Sequence, residues 1–155
     1  MVLLKKKISE FIRGFKNNEC TLKPLAGEKA PAFKELSKFK RKTRFKNTNV
    51  KYALLIFIKS SNLMSNQELL LNLPHISIDF NIKIMVISDG AFDLHVSEEV
   101  QYIKSKYLFY KYFVEHQPKM FLVDAKGFLV FEMGGTSSYL LKKVLEDYFL
   151  DNRKL

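Results

Sequence analysis

The 155-residue chain has a single cysteine, Cys20, so no disulfide can close within it. Such sparing use of cysteine points to a reducing compartment. No apolar run reaches the roughly 18 residues needed to span a bilayer. The basic residues near the start are not followed by the apolar segment of a secretory signal. A cytoplasmic protein, at most peripheral to a membrane, is the expectation. The three histidines, His75, His95 and His116, lie too far apart in sequence to suggest a metal set. The acids show no ligand spacing either, so no metal or cofactor is expected. Ser65 and His116 lack a third orienting group and a nucleophile elbow, which argues against serine-hydrolase chemistry. No internal repeat or interior linker divides the chain.

Nearly half the residues are hydrophobic, with 14 Phe and 7 Tyr, enough for one domain with a real core. The net charge of +10 is unevenly placed. Through Lys51 there are 15 Lys/Arg against 4 Glu; from Tyr52 onward there are 11 basic and 12 acidic residues. The first third therefore carries the whole excess, which suits an acidic partner or an anionic surface. Residues 3–16 place Leu4, Ile8, Phe11, Ile12 and Phe15 on one stripe, with Lys5, Lys6, Lys7, Arg13 and Lys16 off it. This predicts a basic amphipathic helix, packed on its own domain or laid on anionic lipid. Around Phe39 and Phe45, Lys40, Arg41, Lys42 and Arg44 make a second basic cluster. It reads as a solvated hairpin whose aromatics cover the domain edge, or as a strip following a nucleic-acid backbone. With no recognition helix or RNP-like motif beside it, nucleic acid is the weaker alternative.

Tyr52–Ile58 is a continuous apolar run bounded by polar residues, as in a strand buried on both faces. Leu63, Met64, Leu70 and Leu71 then recur at helical spacing. Ile82–Ser88 predicts a second strand closed by Asp89-Gly90, joined to the first by a parallel, right-handed crossover. Ser97 as cap, with Val100, Ile103 and Leu108 behind it, predicts a helix, and Tyr110–Val114 looks strand-like. Met120–Glu132 predicts a hairpin turning at Asp124–Gly127. After Gly134-Gly135, Thr136 or Ser137 is placed to cap a last helix carrying Leu140, Leu141, Val144, Leu145, Tyr148 and Phe149.

This order resembles the thioredoxin fold. Gly27-Glu-Lys-Ala-Pro-Ala-Phe33 resembles the opening of its TlpA, MauD and peroxiredoxin-like branches. Leu54–Ser65 looks like the strand that delivers Cys-x-x-Cys there. Val86–Gly90 is similar to a MauD landmark, and Pro118–Gly127 to a later one. The resemblance covers roughly residues 25–150. It implies an α/β, thioredoxin-like domain over 25–152, a central mixed sheet with helices on both faces, behind a basic helical extension over 1–24. It also places Asn62 and Ser65 where the two cysteines should stand. An amide and a hydroxyl cannot supply a low-pKa thiolate or resolve a mixed disulfide. Cys20 precedes the domain beside Glu19, which would raise its pKa. By the same resemblance Pro118 is a cis-proline that leaves the Gln117 backbone open to an extended peptide. The implied peptide groove comprises Asn62, Leu63, Met64, Ser65, Gln117 and Pro118. The leading expectation is a redox-silent accessory that binds a peptide or protein thiol substrate, as in maturation of a modified or secreted peptide. The alternatives are a thiol–disulfide oxidoreductase or peroxidase-like enzyme using Cys20 or a partner's cysteine, and a basic adaptor on membrane or nucleic acid. Such an adaptor would make its anionic contacts through Lys5, Lys6, Lys7, Arg13, Lys40, Arg41, Lys42 and Arg44.

Overall fold

The structure is a computed structural model that describes residues 25–45, 50–90, 99–115 and 118–153. The expected N-terminal helix with Lys5, Lys6, Lys7 and Arg13, the thiol Cys20, the cap Ser97, and His95, His116 and Gln117 lie outside the described residues.

Alternation within three strands builds the centre. Tyr52–Phe57 forms β1, Lys83–Ser88 β2 and Lys119–Asp124 β4. Successive side chains of a strand point to opposite faces. Ala53, Leu55, Phe57, Met85, Ile87, Phe121 and Val123 therefore enter one core, while Leu54, Ile56, Ile84, Val86, Met120 and Leu122 enter another. A sheet apolar on both sides needs cover on both sides. Helices α1 (Lys34–Phe45) and α3 (Lys106–Lys111) supply Leu36, Phe39, Leu108 and Phe109 to the first core. Helices α2 (Gln67–Phe80) and α4 (Ser138–Arg153) supply Leu69, Leu73, Ile76, Leu141 and Leu145 to the second.

With β3 (Val100–Lys104) and β5 (Leu129–Gly134) at the edges, the sheet order is β3-β2-β1-β4-β5. The β1–β2 pair is parallel, Leu55 opposite Met85, as the helical connection requires. The β1–β4 and β4–β5 pairs are antiparallel. The mixed sheet with helices on both faces is the architecture that the sequence implies.

Three local expectations are corrected. The basic stretch around Phe39 is helix α1, not a hairpin: Leu36, Phe39 and Thr43 are buried at helical spacing, and the lysines and arginines occupy the rest of the surface. The helix expected from Ser97 is instead edge strand β3, paired through Val86–Tyr102 and its neighbours. The strand expected at Tyr110–Val114 is instead the last two residues of α3 and the turn after it, in which Phe113 has φ +59°. Ser105, not Ser97, caps this helix, its Oγ accepting from Leu108 N–H at 3.2 Å. The segment before α1 is stapled on by Tyr112, fully buried, whose hydroxyl donates to the Pro31 carbonyl at 2.6 Å. Burial pushes that phenol well above its ordinary pKa.

Candidate functional site

The site lies where β1 gives way to α2. Ile58 N–H still bonds to Ile87, and the chain then makes two 3-10 turns, Ser60–Asn62 and Met64–Asn66, before α2 begins. Leu63 between them is buried in the α2-side core and fixes the loop, whereas Met64 is 75% exposed. The carbonyl of Asn62 accepts twice, from Ser65 Oγ at 3.0 Å and from Asn66 Nδ2 at 2.6 Å. Asn66 is itself buried. The loop therefore closes on its own polar groups.

A second loop braces the first. Asp89, just past β2, accepts the Ser60 N–H at 2.8 Å. That backbone bond, helped by the Ser60 hydroxyl and the Lys59 charge, holds the Asp89 carboxyl below the usual carboxylate range against the opposing effect of burial. Gly90 touches the same residue: a Cβ added there would lie 2.7 Å from Ser60 Oγ.

A polar hollow of about 570 Å³ opens beside this loop, lined by Lys59, Ser61, Asn62, Ser65, Asn66, Pro118 and Thr136. The fold thus brings Asn62 and Ser65 to the same depression as Pro118, which precedes β4. Leu63 and Met64 are not among its lining residues. The Gln117–Pro118 bond includes a residue outside those described, and so does its expected cis geometry. Pro118 O accepts from Gly135 N–H at 3.2 Å, closing the hollow against the end of β5. Lys59, Ser61 and Asn66 were not singled out by sequence reasoning, and Thr136 was read only as a candidate helix cap. Their signal is weak, since polar residues in loops are ordinary.

Glu68, in the first turn of α2, is not among the lining residues. Its Oε2 accepts from Ser138 Oγ at 2.5 Å and from Asn72 Nδ2 at 2.9 Å, tying α2 to the start of α4. Among the described residues no group of three His, Cys, Asp or Glu could hold a metal ion. Among them, too, no helix is long and apolar enough to cross a membrane. Among the described residues the hollow offers hydroxyls, amides and one ammonium, a set suited to hydrogen bonding and without a sulfur nucleophile.

No protein-family model and no curated protein matches the sequence. Solved structures do. One, assigned as thiol:disulfide interchange protein DsbE from Chlorobium tepidum, aligns with TM-score 0.59 at 18% identity over 83% of this chain and 97% of that one. A thiol:disulfide interchange protein from Bacteroides sp. aligns with TM-score 0.56 at 18% identity, covering 82% and 91%. A thioredoxin-like protein from Parabacteroides distasonis gives 0.52 at 17% identity, covering 80% and 96%. At this level of identity the likeness is one of fold, and the fold is thioredoxin-like.

Proposed function

We propose that this protein is a thioredoxin-fold module that binds an extended polypeptide in the hollow between the 60–66 loop and Pro118, without exchanging electrons with it. The observation that carries the reading is the composition of that loop. β1, the turn after it and Pro118 meet at the hollow, and on this reading Asn62 and Ser65 occupy the positions that the resemblance gives to the two cysteines. Ser65 Oγ is spent as a donor to the Asn62 carbonyl. A serine hydroxyl has neither the acidity nor the redox chemistry of a thiol. What remains is a polar recess whose donors and acceptors suit main-chain recognition, with side-chain specificity left to its rim. The bound polypeptide is a peptide or protein thiol substrate awaiting maturation, and the module acts as an accessory to that step.

Nuclear magnetic resonance titration of the full chain with matched extended peptides, carrying either Cys or Ser, tests this. Shifts concentrated at residues 59–66, 118–119 and 135–136, with equal affinity for both forms, are expected. A second reading is favoured by the thiol:disulfide interchange proteins among the structural neighbours: an oxidoreductase that uses Cys20 or a partner's cysteine. Insulin reduction by the wild type, abolished in Cys20→Ser, would establish that alternative and overturn the redox-silent one.

A further inference from the structure

Helices α2 and α4 lie side by side and run the same way. Their starts are joined by the Glu68–Ser138 bond, and near their ends the rings of Phe80 and Phe149 stack 6.1 Å apart. Their inner faces fill the second core, yet their outer faces are not wholly polar, as those of a solvated helix pair should be. On α2, Leu71 and Ile78 are 75% and 64% exposed, and their spacing of seven puts them on one stripe. On α4, Tyr139 and Leu150 are 69% and 50% exposed, three helical turns apart on one face. Exposed apolar side chains gathered on neighbouring elements mark an interaction surface.

Charge and chain path decide what covers it. Helices α2 and α4 together hold five acids against three cations. Four of those acids, Asp79, Glu146, Asp147 and Asp151, are exposed and lie in the second halves of the helices. Among the described residues no salt bridge holds any of the four. On the opposite face of the sheet, α1 holds six cations against one acid. Residues 1–24 hold six cations against two acids and carry the apolar stripe of Leu4, Ile8, Phe11, Ile12 and Phe15. Such a segment is repelled by the α1 face and attracted to the α2–α4 face.

The chain also enters at the right end. Just after Leu25, the Gly27 N–H bonds to the Leu129 carbonyl at 2.7 Å, beside the β4–β5 turn. Helix α4 ends at the same place: Phe149 packs 5.1 Å from Tyr52, the first residue of β1, which stands opposite Asp124, the last of β4. Residues 17–24 can span up to roughly 26–29 Å, ample for a domain whose radius of gyration is about 15 Å. A helix over 3–16 would be about 21 Å long, matching the 14 residues of α2.

We propose that residues 3–16 dock as an amphipathic helix along the outer faces of α2 and α4. Their apolar stripe covers Leu71, Ile78, Tyr139 and Leu150. Arg13 and Lys16, nearest the connection, fall beside the acids in the second halves of the two helices. None of these residues lines the polypeptide recess, so the two proposals stand or fall separately.

A nitroxide on the N-terminal segment tests this. In full-length Lys7→Cys/Cys20→Ser, a spin label at position 7 should broaden the amide resonances of α2 and α4 and leave those of α1 and α3 sharp. Leu71→Asp/Ile78→Asp on the surface should abolish that broadening. So should Phe11→Ser/Phe15→Ser, which leaves both described cores intact. Tyr107→Ser/Tyr110→Ser, on the exposed side of α3, should preserve it. Broadening of α1 and α3 instead, or broadening unchanged by Phe11→Ser/Phe15→Ser, would overturn the proposal. Transfer of the broadening from a labelled chain to an isotope-enriched, unlabelled one would mean docking between copies and would overturn it too. So would capture of the segment by phosphatidylglycerol vesicles if α2 and α4 stay sharp without them.

Discussion

Gly90→Ala should destabilise the protein for one steric reason, and the reason can be dissected. Gly90 is not among the glycines with positive φ, so alanine meets no backbone penalty there. The added Cβ would instead lie 2.7 Å from Ser60 Oγ and 2.9 Å from Ser60 Cβ. Carbon atoms pack best at about 3.5–4.0 Å, so the overlap is roughly 0.6–1 Å. Relief requires one loop to move, and overpacking of that kind costs about 1–3 kcal/mol. In a domain of this size that is a fall in Tm of roughly 2–12 °C. Urea unfolding and thermal melts of the single and double variants supply the measurement. Ser60→Ala removes the hydroxyl contact but keeps the 2.9 Å one, so it should rescue Gly90→Ala only partly. Ser60→Gly removes both while keeping the backbone N–H that bonds to Asp89, so Gly90→Ala should cost almost nothing in that background. A coupling energy near zero, with Gly90→Ala equally costly beside Ser60→Gly, would refute the claim that these loops brace each other at this point.

Tyr112→Phe should keep the ring packed against Phe57 at 5.0 Å and Phe121 at 5.3 Å while leaving the buried side of the Pro31 carbonyl without its donor. A loss of about 1–3 kcal/mol in urea unfolding is expected. Asp89 has a folded pKa below its unfolded value, so it contributes stability above the unfolded value of about 3.9, lost as pH falls through the folded value. The stability gap between wild type and Asp89→Asn should therefore be constant near neutrality and close in acid; a gap independent of pH down to full protonation would contradict the assignment. Asn62→Cys/Ser65→Cys should form an intramolecular disulfide on mild oxidation, read by thiol titration and mass spectrometry. Two thiols that stay apart would count against the thioredoxin-like reading of the loop.

The central strands were plain in the sequence because burial on both faces leaves an unbroken apolar run, as in Leu54–Ile58. Edge strand β3 was not. It has five residues, only Val100 and Ile103 buried, and a three-residue interval between them that mimics a helical repeat. What makes it a strand is its pairing with β2, a contact that no local pattern announces. Helix α1 failed in the opposite way: its apolar stripe of Leu36 and Phe39 was present, but the density of lysine and arginine drew attention to charge. The candidate site was half legible. Asn62, Ser65 and Pro118 followed from resemblance, whereas Lys59 and Thr136 join them only because β1 and β5 end at the same side of the sheet.

The bonds that shape the 60–66 loop do not require sulfur. Leu63 is buried in the core, Asp89 holds the Ser60 N–H, Gly90 gives Ser60 room, and Glu68 with Ser138 fixes the start of α2 against α4. On the reading proposed above, an amide and a hydroxyl at positions 62 and 65 leave the shape of the loop intact, since packing and backbone contacts carry the geometry. Binding and electron transfer are separable for the same reason: the first needs a recess with oriented donors and acceptors, the second a thiolate and a partner thiol. Asn66 sharpens the distinction. It stands at the N-cap of α2, yet its side chain makes no capping bond and donates instead to the Asn62 carbonyl. The loop is thereby held by amide hydrogen bonds that take no part in redox chemistry.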